Sequence, residues 1–268
     1  MDPLLEYEHQ RDINYNLLPD SIKKLMKIKQ EPQRSPQWFA ARAKMLTASN
    51  LDAVLGRNKY SSREEILFKK CGLSVPFTTN AACQHGCDEE NNAIAEYCRV
   101  FNKKTIDFGL LPHPTIDFLG GSPDGIAFEN GRPDCRPIVL EVKCPYSRPI
   151  VSNKIPKQYF NQIVVNMIIA KADGAFIEYI PPLHRSSDQD YRLNVIHLKL
   201  EDHREHFETH NLPVLREFWD EVLHYREAGI ESHPSFAKWD RKCNPKKYKK
   251  KTLDFSSKKK PAVSMFVD

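Results

Sequence analysis

No apolar run in this 268-residue chain approaches the roughly 18 residues that a membrane helix requires. The segment Met1 to Gln10 is acidic and has no signal-peptide core. Cysteine is sparse as well: seven residues, scattered and odd in number, do not make a disulfide framework, which favours a reducing compartment. These absences together lead us to expect an intracellular protein, in nucleus or cytoplasm, with no membrane partner. No internal repeat is found, which excludes a solenoid. What is present is ordinary for a globular chain, with 40% hydrophobic and 28% charged residues. The net charge of +5 is misleading: residues 241–268 carry ten Lys/Arg against Asp254 and Asp268, leaving residues 1–240 at −3. Any surface for a polyanion on the body must therefore be a local patch.

We divide the chain into an N-terminal extension (1–34), one domain (35–230) and a basic, disordered tail (231–268). Ser35-Pro36 predicts a helix start, with Ser as cap and Pro at the first helical position, and places Trp38 and Arg42 on one face. Ser49 with Asp52 resembles a capping box opening a second helix that Gly56 ends. A further helix is expected over 88–101, with Glu89 or Glu90 in its first turn. Short β-like runs follow at 105–111, 116–119, 125–128 and 138–142, separated by turns that include Gly120-Gly121 and Ser122-Pro123-Asp124-Gly125. A helix over 156–172, strands at 175–180 and 193–198, and a long helix over 201–227 complete an α/β sandwich.

The chemistry centres on Ile138-Val139-Leu140-Glu141-Val142-Lys143. In a strand, Glu141 and Lys143 share one face, while Leu140 and Val142 enter the opposite layer. Asp124 supplies a second carboxylate at the start of an adjacent strand. Two carboxylates on neighbouring strands suffice for Mg²⁺, which takes oxygen ligands and keeps several waters, and a lysine beside them can orient or deprotonate an attacking water. That is the minimum set for metal-assisted phosphodiester hydrolysis.

These strings, with Trp38-x-x-x-Arg42, Leu46-Thr47-Ala48-Ser49, Gly86-x-x-x-Glu90-x-x-Ala93 and Tyr159-x-x-Gln162 in the same order, resemble the lambda exonuclease or YqaJ-type viral recombinase family of PD-(D/E)xK nucleases. The resemblance spans residues 33–180. It implies a restriction-endonuclease-like core, a central mixed β-sheet flanked by helices. It implies that Glu90, Asp124 and Glu141 surround Mg²⁺, or Mn²⁺ as a substitute, with the Val142 carbonyl as a further ligand. Lys143 would assist the water and Gln162 support the site. Trp38, Arg42 and Ser49 would face the DNA, Arg42 and Ser49 holding a 5′ phosphate. The implied activity is 5′ to 3′ digestion of double-stranded DNA, leaving 3′ single strands for an annealing protein, by a ring-shaped homotrimer acting in recombination or viral DNA processing.

Some readings stay open. Val164 stands where the family often has a second glutamine, and Asp88, Glu89 and Glu90 are consecutive, of which Glu90 has the right spacing from Gly86. Ser49 reads equally as a bare helix cap. Cys83-x-His85-x-Cys87 lacks zinc-finger spacing and is read as free thiols. The lysine-rich tail reads as a nuclear-import signal, a DNA-holding arm or a solubilising segment. The rival functions are an endonuclease or junction-cleaving enzyme on the same fold, and a noncatalytic DNA-binding scaffold.

Overall fold

The computed structural model describes residues 13–31, 33–73, 80–182, 193–244 and 247. Five of the six expected β-runs contribute to a five-stranded sheet of order β2-β5-β6-β7-β8, comprising β2 (Lys104–Ile106), β5 (Gly125–Phe128), β6 (Ile138–Lys143), β7 (Asp173–Tyr179) and β8 (Leu193–Leu198), whereas the run 116–119 is strand only at Leu119, in a second sheet. Within it only β6 and β7 run parallel; the remaining pairs are antiparallel. The parallel pair needs a crossover, which is the helix Lys157–Ala170.

The two-residue period of β6 sorts its side chains into two cores. Leu140 and Val142 join Ala93, Ile94 and Tyr97 of the helix Ala81–Phe101 on one face. Val139 joins Ile163, Val164 and Phe176 on the other. Glu141 and Lys143 therefore share the face of Val139, under the crossover helix. Helices on both faces of a mixed sheet give the α/β sandwich.

In chain order the described α-helices are α1 (Asp20–Met26), α2 (Pro36–Ala43), α3 (Leu51–Val54), α4 (Arg63–Lys70), α5 (Ala81–Phe101), α6 (Lys157–Ala170), α7 (Leu200–His206), α8 (Leu212–Ala228) and α9 (Phe236–Cys243). None is long and apolar enough to cross a membrane. A small second sheet orders β1 (Leu46–Thr47), β4 (Leu119–Gly121) and β3 (Leu111–Pro112) as β1-β4-β3.

The structure corrects several boundaries. Gly120 and Gly121 are not a turn but the buried end of β4: a β-carbon would strike Met45 Sδ at Gly120 and Asn166 Oδ1 at Gly121, so glycine at 121 lets α6 lie close and glycine at 120 makes room for Met45. The run 105–111 is two strands of different sheets. Helix α5 starts seven residues before the expected Asp88, because the Asn80 side chain accepts from Cys83 N–H at 2.8 Å. The long helix over 201–227 is broken by a π-turn at Phe207–Asn211. Pro213 offers no N–H to the preceding turn, and the Thr209 hydroxyl donates back to Glu205 O at 2.7 Å.

The described parts of both end regions join the core. Leu18, Ile22 and Leu25 of the expected extension are buried in the main cluster. The expected tail from 231 begins with ordered chain: α9 buries Trp239, whose ring packs against that of Phe68 at 5.1 Å between centroids. The lysine-rich stretch beyond residue 247 lies outside the described residues.

Asp173 ties β7 to α7. Its carboxylate accepts from Lys199 Nζ at 2.7 Å and from Leu200 N–H at 3.1 Å, and pairs with Arg136. Burial works against this carboxylate, but Lys199, the Leu200 N–H and Arg136 hold it below the usual range. A depressed folded value means that its stabilisation is present above the unfolded value, about 3.9, and is lost as pH falls through the folded one. Asp173→Asn is expected to lower stability by about 1–2 kcal/mol at pH 7. The melting-temperature gap from wild type should close as pH falls below about 4. A gap that does not change with pH would remove the charge from this account.

Candidate active site

Asp124 stands at the start of β5, where it is tied to β6 by its own backbone and side chain. Its N–H donates to Leu140 O at 3.2 Å, and its Oδ2 accepts from Val142 N–H at 2.7 Å. This fixes one carboxylate beside the next residue pair on β6. Glu141 is fully buried and makes a short ion pair with Lys143 through Oε1. Its Oε2 accepts from Asn166 Nδ2 of α6 at 3.5 Å. The Lys143 ammonium also donates to Val142 O at 3.0 Å and lies 5.1 Å from the Tyr159 ring centre.

Glu90 approaches from α5. It lines a cleft of about 620 Å³ together with Asp124, Asp107 and Arg34, and Arg34 Nη2 lies 3.8 Å from its Oε2. Its two neighbours are engaged within their own helix, Asp88 with Gln84 at 2.7 Å and Glu89 with Asn92 at 2.9 Å. Among three consecutive acids, Glu90 is thus the one that faces the cleft. Burial, and then the charge of Asp124, push its carboxyl up to about 7. Glu141 is pushed up to about 8 by burial, with Asp124 and Glu90 adding and Lys143 opposing. Burial also raises Asp124. Burial disfavours the Lys143 ammonium, but Glu141 and Asp124 more than reverse this and hold it protonated above the ordinary lysine range.

Gln162 is half-buried on α6, one turn before Asn166; the amide on Glu141 belongs to Asn166. Sequence reasoning passed over Asn166 because an amide on an apolar helix face gives no sign of its partner 25 residues away. The second glutamine position is filled by Val164, a core residue.

A second group gathers around α2. Ser35 Oγ accepts from Trp38 N–H at 3.1 Å, opening the helix as expected. Trp38 Nε1 donates to Ser122 Oγ at 3.2 Å, which joins α2 to the turn carrying Asp124. The Arg42 guanidinium lies 4.2 Å from the Trp38 ring centre and donates to Ser49 Oγ at 2.9 Å. Ser49 makes no helix cap; it sits within a 3₁₀ turn, Ala48–Asn50, and its hydroxyl is turned to Arg42 and Thr47. Burial lowers Arg42 to about 10, which leaves it a cation at neutral pH. Lys70 Nζ donates to Arg42 O at 2.7 Å and Arg226 to Ala43 O at 2.8 Å, so two distant cations cap the end of α2. Ser122, Lys70 and Arg226 carried no local signal of these contacts.

The donor set fits a hard divalent cation. Glu90, Asp124 and Glu141 bring three carboxyls to one ammonium, and burial, with the like charges adding to it, holds Glu90 and Glu141 up. Among the described residues no three Asp, Glu, His or Cys side chains are grouped closely enough to hold a metal ion between them. Mg²⁺ does not need three, since it is commonly held by one or two carboxylates with water. Cys83, His85 and Cys87 lie on α5, with both thiols exposed and His85 against the Tyr146 ring at 5.4 Å.

The YqaJ-like viral recombinase domain matches residues 37–173, just over half of the chain. The chain belongs to the YqaJ-like viral recombinase family. A protein of Acanthamoeba polyphaga mimivirus is 31% identical over 177 residues, covering 62% of this chain and 32% of that protein. This YqaJ-like chain thus matches about a third of the length of its curated relative. An alkaline exonuclease from Laribacter hongkongensis, solved alone and with dAMP, superposes with a TM-score of 0.54 at 24% identity, over 74% of this chain and 100% of that one. That likeness shows the fold, a restriction-endonuclease-like core with its mixed sheet between helices. The YqaJ-like match contains β5, β6, α6 and nearly all of α2, and with them Glu90, Asp124, Glu141 and Lys143 of the first group and Trp38, Arg42 and Ser49 of the second.

Proposed function

We propose that this YqaJ-like chain is a Mg²⁺-dependent DNA exonuclease of the PD-(D/E)xK kind, digesting duplexes 5′ to 3′ and leaving 3′ single strands for an annealing protein. The observation that carries the reading is the buried Glu141–Lys143 pair on β6 with Asp124 pinned beside it through Val142 N–H. Glu90, Asp124 and Glu141 would hold Mg²⁺, with Mn²⁺ as substitute and the Val142 carbonyl as a further oxygen. The cation would supply charge neutralisation at the phosphoryl group and a more acidic bound water. The chain's own contribution is placement. Lys143, held as a charged ammonium by Glu141 and Asp124, orients water or a phosphoryl oxygen rather than removing a proton. Asn166 fixes the second oxygen of Glu141, and Tyr159 covers the lysine. The dAMP bound by the Laribacter protein is the kind of mononucleotide expected as product here.

The direction of digestion rests on Arg42, stacked on Trp38 and aimed at Ser49. A guanidinium held flat by an aromatic ring makes two parallel bonds to a terminal phosphate. The test uses linear duplexes that differ only at the 5′ end, and a closed circle. Wild type should release nucleotides from the 5′-phosphorylated duplex with Mg²⁺ and leave the closed circle intact. Rapid digestion of the circle would overturn the exonuclease reading in favour of an endonuclease, and no release from any substrate would favour a noncatalytic DNA-binding protein. Arg42→Ala should reduce the preference for 5′ phosphate over 5′ hydroxyl by about 30-fold, the value of one charge-assisted bidentate contact.

A further inference from the structure

Gln30, Glu31, Gln33 and Arg34 close one side of the acidic cleft, although they lie outside the stretch shared with the family domain. They are fastened there by the two glutamines. Gly109 N–H donates to Gln30 Oε1 at 2.6 Å, and Gln33 Nε2 donates to Phe108 O at 2.9 Å and Pro123 O at 3.4 Å. Gly109 is required for this contact, because a β-carbon there would strike Glu31 O.

Arg34 stands in a left-handed conformation, φ 65°. Such a backbone costs a residue with a β-carbon about 1 kcal/mol or more, and glycine relieves it. Asn102 and Lys171, also at positive φ, end helices, where this conformation is commonplace, and Asn153 is an asparagine, whose short polar side chain tolerates it. Arg34 ends no helix; it precedes the cap of α2. Its pairing with Glu90 is 3.8 Å long, with 60% of the arginine side chain exposed, and a pair of that kind contributes little to stability. The strain is therefore not offset by the ion pair. What the arginine provides is a loosely held cation at the mouth of a cleft that contains Glu90 and Asp124, two residues before the helix bearing Trp38 and Arg42.

We propose that Arg34 is a substrate-contacting catalytic residue whose guanidinium binds a non-bridging oxygen of the scissile phosphate in this cleft. The inference rests on the nuclease reading above and adds to it a cation supplied from outside the shared domain. Arg34 leaves Glu90 for the phosphate when DNA is bound, and the negative charge growing on the phosphoryl oxygens strengthens the contact in the transition state.

The test is Arg34→Gly, which suits the left-handed backbone and removes only the side chain. Under single turnover with saturating enzyme and a 5′-phosphorylated duplex, the release rate should fall about 100-fold, and the melting temperature should not fall. Millimolar guanidinium should restore part of the rate of Arg34→Gly and none of that of Asp124→Asn, an effect that a purely structural arginine would not show. A rate within about three-fold of wild type would overturn the role of Arg34 while leaving the nuclease reading intact. A wild type that releases no nucleotide would overturn both.

Discussion

Asp124→Asn is expected to abolish Mg²⁺-dependent nucleotide release, by about 1000-fold or more, while the protein stays folded. The reason lies in the two tasks of one carboxylate. Asp124 Oδ2 accepts from Val142 N–H, which an asparagine oxygen does equally well, so the β5–β6 geometry survives. The charge does not survive, and with it goes one of the carboxylates that a divalent cation needs. Removing it also relieves the repulsion that adds to burial in raising Glu90 and Glu141. In chelator, Asp124→Asn should therefore melt no lower than wild type, and added Mg²⁺ should raise its melting temperature less. This is the pattern of a site kept for function at a cost in stability. Wild-type rates in the variant would sink the metal site proposed here, and a large loss of stability in chelator would assign Asp124 to the framework instead.

Asp52→Ala should be the most damaging single truncation away from the cleft. Asp52 is buried on α3, with Oδ2 accepting from Asn161 N–H at 3.1 Å and Oδ1 from Asn161 Nδ2 at 2.5 Å. Asn161 Oδ1 in turn accepts from Asn211 Nδ2 at 2.8 Å, and Asn211 Oδ1 from Arg57 at 3.4 Å. One polar chain thus joins α3, α6 and the π-turn before α8. Burial raises the Asp52 carboxyl even though Asn161 and Arg57 pull it down. Its loss strands two buried donors of Asn161, at a cost of about 3 kcal/mol. For a chain of this size that is about 6–12 °C in melting temperature. A fall of less than about 2 °C would mean that the network does not hold these helices together. Because α6 also carries Tyr159 and Asn166, activity at a temperature where the variant is still folded should fall as well.

Both residues were visible in the sequence, but in different ways. Asp124 was read as a ligand from a turn followed by a strand, and the two-residue period of β6 placed Glu141 and Lys143 on one face. Asp52 was read as half of a capping box with Ser49, since spacing in sequence is all that a local motif offers. In the structure Asp52 turns inward to a helix 109 residues away and Ser49 turns to Arg42. The glycines at 120 and 121 misled for the same reason: a turn signal and a close-packing signal are one letter.

Periodicity and local turn chemistry are properties of neighbouring residues, so the chain by itself determined the β6 strand, its carboxylate and lysine, the Ser35-capped α2, the α/β class and the family. Tertiary structure alone decided which of three consecutive acids faces the cleft, which amide supports Glu141, and that α1 and α9 belong to the core. Those outcomes depend on contacts between segments far apart in sequence. Burial of a polar group is satisfied by whichever partner the fold brings within about 3 Å, and no spacing along the chain encodes that partner.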